Sequence, residues 1–105
     1  MKIYKHRNFH QWAKSEGLTD GALKKAIKEM ENGLFEANLG SGLYKKRVAL
    51  LGKGKSGGFR VIYYHLNKTE KGIDMLLLSI FDKSERSTIK KDEAIKILIS
   101  TLKEI

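Results

Sequence analysis

Leu43-Tyr44-Lys45-Lys46-Arg47-Val48-Ala49-Leu50-Leu51, then Gly52-Lys53-Gly54-Lys55-Ser56-Gly57-Gly58, then Phe59-Arg60-Val61-Ile62-Tyr63-Tyr64-His65-Leu66, is the stretch that decides the fold. Both flanks read as strands, and the second, Phe59 to Leu66, is rich in β-branched and aromatic residues. The seven residues between them hold four glycines and two lysines, which makes a basic hairpin loop. A second turn over Asn67 to Gly72 leads to Ile73–Phe81, an almost continuous apolar run of the kind found in strands covered on both faces. Three strands joined by short turns predict an antiparallel meander.

Helical spacing flanks this meander. Residues 2–6 suit a short opening strand. Asn8 stands where an N-cap would, ahead of Phe9, Trp12 and Ala13, and Gly17 ends that helix. Thr19 or Asp20 caps a second helix, whose Leu23, Ile27, Met30 and Leu34 form one buried stripe and which Gly33 closes. Lys24, Lys25, Lys28, Glu29 and Glu31 fill its other side. Trp12 shares a stripe with Phe9 and reads as core in preference to a base-stacking platform. Gly40-Ser41-Gly42 is a turn. The last helix covers Lys91 to Glu104, with a stripe of Ile95, Leu98, Ile99, Leu102 and Ile105. The order β-α-α-β-β-β-α predicts one α+β domain over residues 1–105, with an antiparallel sheet and helices packed on one face.

The 105 residues carry 21 Lys and Arg against 12 Asp and Glu, a formal charge of +9. From Ala37 to Thr69 there is no acidic residue, while Lys45, Lys46, Arg47, Lys53, Lys55, Arg60 and Lys68 all fall there. The rest of the chain, with 14 basic and 12 acidic residues, is close to balanced. One alternative is a basic surface kept for solubility. Same-sign crowding costs stability, however, and an anionic ligand such as nucleic-acid phosphate accounts for it directly.

Several chemistries drop out. The chain has no Cys, which excludes disulfides and thiolate zinc sites. His6, His10 and His65 form no ligand spacing, so no metal site and no cofactor are expected. Gly54-Lys55-Ser56 invites a phosphate-loop reading, but Ala49 stands where the first glycine belongs, and a strand follows where a helix is needed. The opening residues Met1 to Arg7 contain no apolar stretch, and the longest apolar run is Met75–Leu78. Neither a secretory signal nor a membrane span is expected, which leaves a cytoplasmic protein.

The strongest constellation is cationic. Lys45 and Arg47 lie two apart on a strand and share a face, whereas Lys46 joins Tyr44, Val48 and Leu50 on the apolar side, where its stem should snorkel at the core rim. Arg60 begins the neighbouring strand, and shares a face with Ile62 and Tyr64. Lys83 and Arg86 follow the third strand. Together these five could hold a phosphate and stabilise the extra charge of a pentacovalent phosphorane during RNA cleavage. That reaction also needs a base and a proton donor, for which Glu85, Tyr63, Tyr64, Lys83 and Lys90 are candidates. Lys46, Lys53, Lys55, Tyr64 and Lys90 are candidates for holding RNA around the centre.

The basic strand from Leu43 to Ala49, the glycine-rich hairpin, the Gly58-Phe59-Arg60-Val61-Ile62-Tyr63 strand and the Lys83-Ser84-Glu85-Arg86-Ser87 turn, in that order, resemble the RelE/ParE toxin superfamily. The likeness is closest to its HigB/RelE-type branch. The resemblance implies a microbial RNase-like toxin fold and the toxin of a type II toxin–antitoxin pair. It further implies a ribosome-dependent mRNA interferase, partnered by ribosome, mRNA and a cognate antitoxin. Under it, Lys45 and Arg47 fall on the family's strand lysines, Arg60 on its phosphate-binding arginine, and Lys83 and Arg86 on the basic residues after the last strand. This chain departs from RelE proper in having Ser84 where an arginine stands and Lys90 where a catalytic tyrosine stands. The alternatives are a ParE-like toxin acting on DNA gyrase and a non-catalytic RNA- or ribosome-binding module. The acid-free cationic segment weighs against the gyrase reading.

Overall fold

A computed structural model describes residues 2–48, 59–69, 72–82 and 90–104. The order is β1 (Ile3–Lys5), α1 (Phe9–Ser15), α2 (Asp20–Glu31), β2 (Ala37–Gly40), β3 (Leu43–Val48), β4 (Phe59–Thr69), β5 (Gly72–Asp82) and α3 (Lys91–Leu102). The strands form one sheet in the order β1-β5-β4-β3-β2. β1 runs parallel to β5, and every other pairing is antiparallel. The meander of β3, β4 and β5 is thus as expected. The loop with Lys53 and Lys55, the end of the expected strand at 49–51, and the turn with Lys83, Glu85 and Arg86 lie outside the described residues.

The alternation of side chains along β4 builds two cores. Phe59, Val61 and Tyr63 join Val48, Met75, Leu77 and Ile80 beneath Phe9 and Ala13 of α1 and Leu23, Ala26 and Met30 of α2. Ile62, on the other face, joins Leu43, Leu76, Leu78 and Phe81 beneath Ala94 and Leu98 of α3. Helices therefore cover both faces, and the expectation that all of them pack on one is corrected. The physical reason is β5 itself: Met75 to Leu78 are all fully buried, so a helix is needed on each side.

A β-bulge sets the phase of β5. Ile62 pairs with Ser79 and Tyr63 with Leu77, which leaves Leu78 as the extra residue. Leu78 lies on the α3 face, and past it Ile80 turns to the α1/α2 core and Phe81 to the α3 core.

Four other expectations shift. β2 was not expected; Ala37-Asn38-Leu39-Gly40 has little strand propensity and forms an edge by pairing with β3. The hairpin between β4 and β5 is tighter than a turn over 67–72, since pairing continues to Thr69 opposite Gly72. Asn8 makes no side-chain cap; its backbone N–H donates to His6 Nδ1 at 3.1 Å, and His6 stacks on Trp12 at 5.1 Å between ring centres. Finally, Leu34 lies beyond the end of α2, and it is exposed, as are Ile99 and Leu102 of α3. Thr19 does cap α2, accepting from the Ala22 N–H at 3.2 Å. Trp12 packs against the core, as expected.

The β2–β3 turn is sterically closed. Gly42 has φ +82°, and a Cβ added there would come within 2.9 Å of Tyr64 Cε1. Gly42→Ala combines left-handed backbone with a ring clash and should cost more than about 1 kcal/mol, read as a lower urea midpoint with unchanged m.

Candidate functional site

β3 and β4 pair antiparallel with Lys45 opposite Ile62 and Arg47 opposite Arg60. Cross-strand neighbours share a face, so Lys45, Arg47 and Arg60 project together, on the side that α3 covers further along the sheet. The cluster expected from strand parity is therefore present for its three described members. Two like charges directly opposite each other are unfavourable in a sheet unless something anionic offsets them.

That anion is Glu36, immediately before β2. Its Oε2 lies 2.6 Å from Arg60 Nε, and its Oε1 lies 3.5 Å from Lys45 Nζ. The backbone fixes its place: Glu36 N–H donates to Lys45 C=O at 2.8 Å, and the next residue, Ala37, pairs with Lys45. Partial burial pushes the Glu36 carboxyl up. The Arg60 hydrogen bond and charge, with Lys45 adding to both effects, outweigh it and hold the carboxyl below its ordinary value. The Arg60 side chain is only 5% exposed, so its charge depends on such a partner; that of Glu36 is 33% exposed. Glu36 was not among the sequence candidates, although it is the last acid before the acid-free stretch.

The pair opens onto a cleft of about 500 Å³ bordered by Leu34, Phe35, Glu36, Lys46, Arg47 and Arg60. Leu34 and Phe35 are 54% and 42% exposed, an apolar wall beside a cationic floor. Phe35 leans on Tyr44, ring centres 4.9 Å apart.

The remaining candidates separate by face. Lys46 points toward α2 and pairs with Glu29 at 3.7 Å, its side chain 12% exposed, which is the rim snorkel expected of it. It reaches the cleft as a border residue. Tyr63 is fully buried in the core under α1 and α2, opposite the cations. Burial, with the neighbouring Tyr44 adding to it, pushes its phenol up to about 12. Tyr63 is thereby removed as an acid or base for the cluster. Tyr64 lies on the cationic face but packs over Gly42, four residues along the strand from Arg60. Lys90 is exposed and occupies the N-cap position of α3 without a side-chain cap hydrogen bond. Lys53, Lys55, Lys83, Arg86 and Glu85 fall outside the described residues. Among the described residues, no group of three or more His, Asp or Glu side chains could hold a metal ion. Among them, too, no helix is long and apolar enough to cross a membrane.

The arrangement can bind an anion and oppose charge growing on it. Because Glu36 has a lowered carboxyl pKa, its contribution to stability is complete above the unfolded value, near 4.5, and disappears as pH falls through the lower folded value. Urea midpoints taken from neutral pH to about pH 3 should show wild type losing its advantage over Glu36→Gln on acidification. A constant difference would show that the carboxylate charge does not act there.

A comparison with protein-family models matches residues 1–103 to the RelE toxin of the RelE/RelB toxin-antitoxin system.

Proposed function

We propose, because the chain belongs to the RelE toxin family, that it arrests translation by cleaving mRNA on the ribosome. The chain is the toxin of a toxin–antitoxin system, and a cognate antitoxin is implied. The observation that carries the finer reading is the direct pairing of Arg47 with Arg60 beside Lys45, at the wall of an open cleft. Two arginines opposite each other on one face repel, and the repulsion weighs against that placement for stability alone. A site for a phosphodiester gains from it.

In the proposed reaction the RNA 2′-oxygen attacks the adjacent phosphorus and the bond from phosphorus to the 5′-oxygen breaks. The 2′-hydroxyl proton leaves to a base, and a proton is delivered to the departing 5′-oxygen. The products are a 2′,3′-cyclic phosphate and a 5′-hydroxyl. The phosphorane carries one more negative charge than the diester, and guanidinium donors on its oxygens favour it over the ground state. Arg60 suits this role best, because it is buried and held in one orientation. Arg47, exposed at the same edge, suits the neighbouring phosphate. Lys45 adds charge from the adjacent register position. Lys83 and Arg86 remain candidates for completing the cluster, as do Lys53, Lys55 and Lys90 for guiding the strand.

Arg60→Ala should abolish growth arrest and the appearance of new mRNA ends during active translation, with far-ultraviolet circular dichroism unchanged. A variant that still arrests growth fully would remove Arg60 from the site. RNA binding should also weaken with salt, by about 0.7 log units per log unit of salt for each phosphate contacted on a single strand. A flat response would place the RNA elsewhere.

A further inference from the structure

We infer that Glu36 is an internal counter-anion that determines which anions the Arg60 site accepts, and that a phosphodiester of single-stranded RNA binds there by displacing it. The inference rests on the RNA-directed reading above.

The two partners of the ion pair are unequal. Arg60 is on a central strand, paired with β3 on one side and β5 on the other, and its side chain is almost fully enclosed. Glu36 stands just before an edge strand, follows two exposed residues and borders the cleft. The guanidinium cannot leave without exposing an enclosed site. The carboxylate can turn into water at small desolvation cost, provided another anion takes over its partners.

A phosphate placed on Arg60 with the carboxylate still at 2.6 Å would lie within a few ångströms of a like charge. At such a separation the repulsion is substantial even with strong protein screening. Binding of the phosphate and retention of the Glu36 contact therefore oppose each other. A free phosphate ion has few contacts beyond Arg60 and Lys45 to set against the carboxylate. A strand of RNA reaches Arg47 and the Phe35 wall as well, and those contacts raise the effective concentration of its phosphate at Arg60. Glu36 thus makes the site respond to a polymer and ignore the phosphate ions around it.

The test uses the full chain and a 2′-O-methylated RNA oligonucleotide, which has no free nucleophile and so reports binding alone. Fluorescence anisotropy should show Glu36→Gln binding the oligonucleotide about tenfold more tightly than wild type. Inorganic phosphate should compete in the variant and hardly at all in wild type. Equal or weaker binding by Glu36→Gln, with Arg60→Ala weakened, would overturn the inference and leave the proposed function standing. If Arg60→Ala binds as well as wild type, the RNA site itself is misplaced, and the inference falls with it. A measurement on the unaltered protein guards against a variant that folds poorly. The Arg60 Nε–H resonance should move when the oligonucleotide is added and stay in place with inorganic phosphate. A resonance unmoved by bound oligonucleotide would equally overturn the inference.

Discussion

Everything in this molecule is arranged around β5, a strand that is apolar on both faces. Met75, Leu76, Leu77 and Leu78 have no solvent-facing side. Such a strand must lie inside the sheet and must be roofed twice. β1 closes one flank in parallel, β4 closes the other, α1 and α2 roof one face, and α3 roofs the other. The layout places β3 and β2 at the far side of the sheet. There Lys45, Arg47 and Arg60 extend over the α3 face at the end where β3 leaves and β4 enters.

That geometry explains how a small protein tolerates a nearly buried arginine. A charge out of water needs a partner at close range, and a distant one would be too weak. Glu36 arrives from the segment after α2, anchored by its own backbone bond to Lys45. The same edge pairing that completes the sheet therefore delivers the counter-charge. Adjacent lysines then serve different purposes. Lys45 faces Glu36, and Lys46, one residue on, faces Glu29 of α2 across the sheet.

Much of this was readable from residue types alone. The β-branched and aromatic run of β4, the apolar run of β5 and the glycine turns around β3 marked the meander, and strand parity placed Lys45 with Arg47 and sent Lys46 to the core rim. The apolar run of β5 signalled two covered faces, yet nothing in the order of elements said which helix took which side. β2 was hidden because Asn38 and Gly40 are poor strand formers, and its pairing depends on β3. Glu36 was hidden for another reason. Its partner Arg60 is 24 positions away, and no local pattern encodes an ion pair of that span. Its position at the boundary of the acid-free segment was the available signal.

The bulge at Leu78 has a consequence for how such a chain can change over time. It places two consecutive residues of β5 against one of β4, and it determines that Phe81, the cross-strand neighbour of Arg60, falls on the α3 face. Because Leu78 is the residue in excess, losing one residue there would leave a regular ladder, with Ile80 and Phe81 still on their present faces. Arg60 would keep Phe81 as its cross-strand neighbour, and the loss would fall on the α3 core, left short of one buried leucine. A one-residue deletion at this point is therefore screened by core packing and hardly by the site. Exposed surfaces, such as that of α2, face no such screen and can drift.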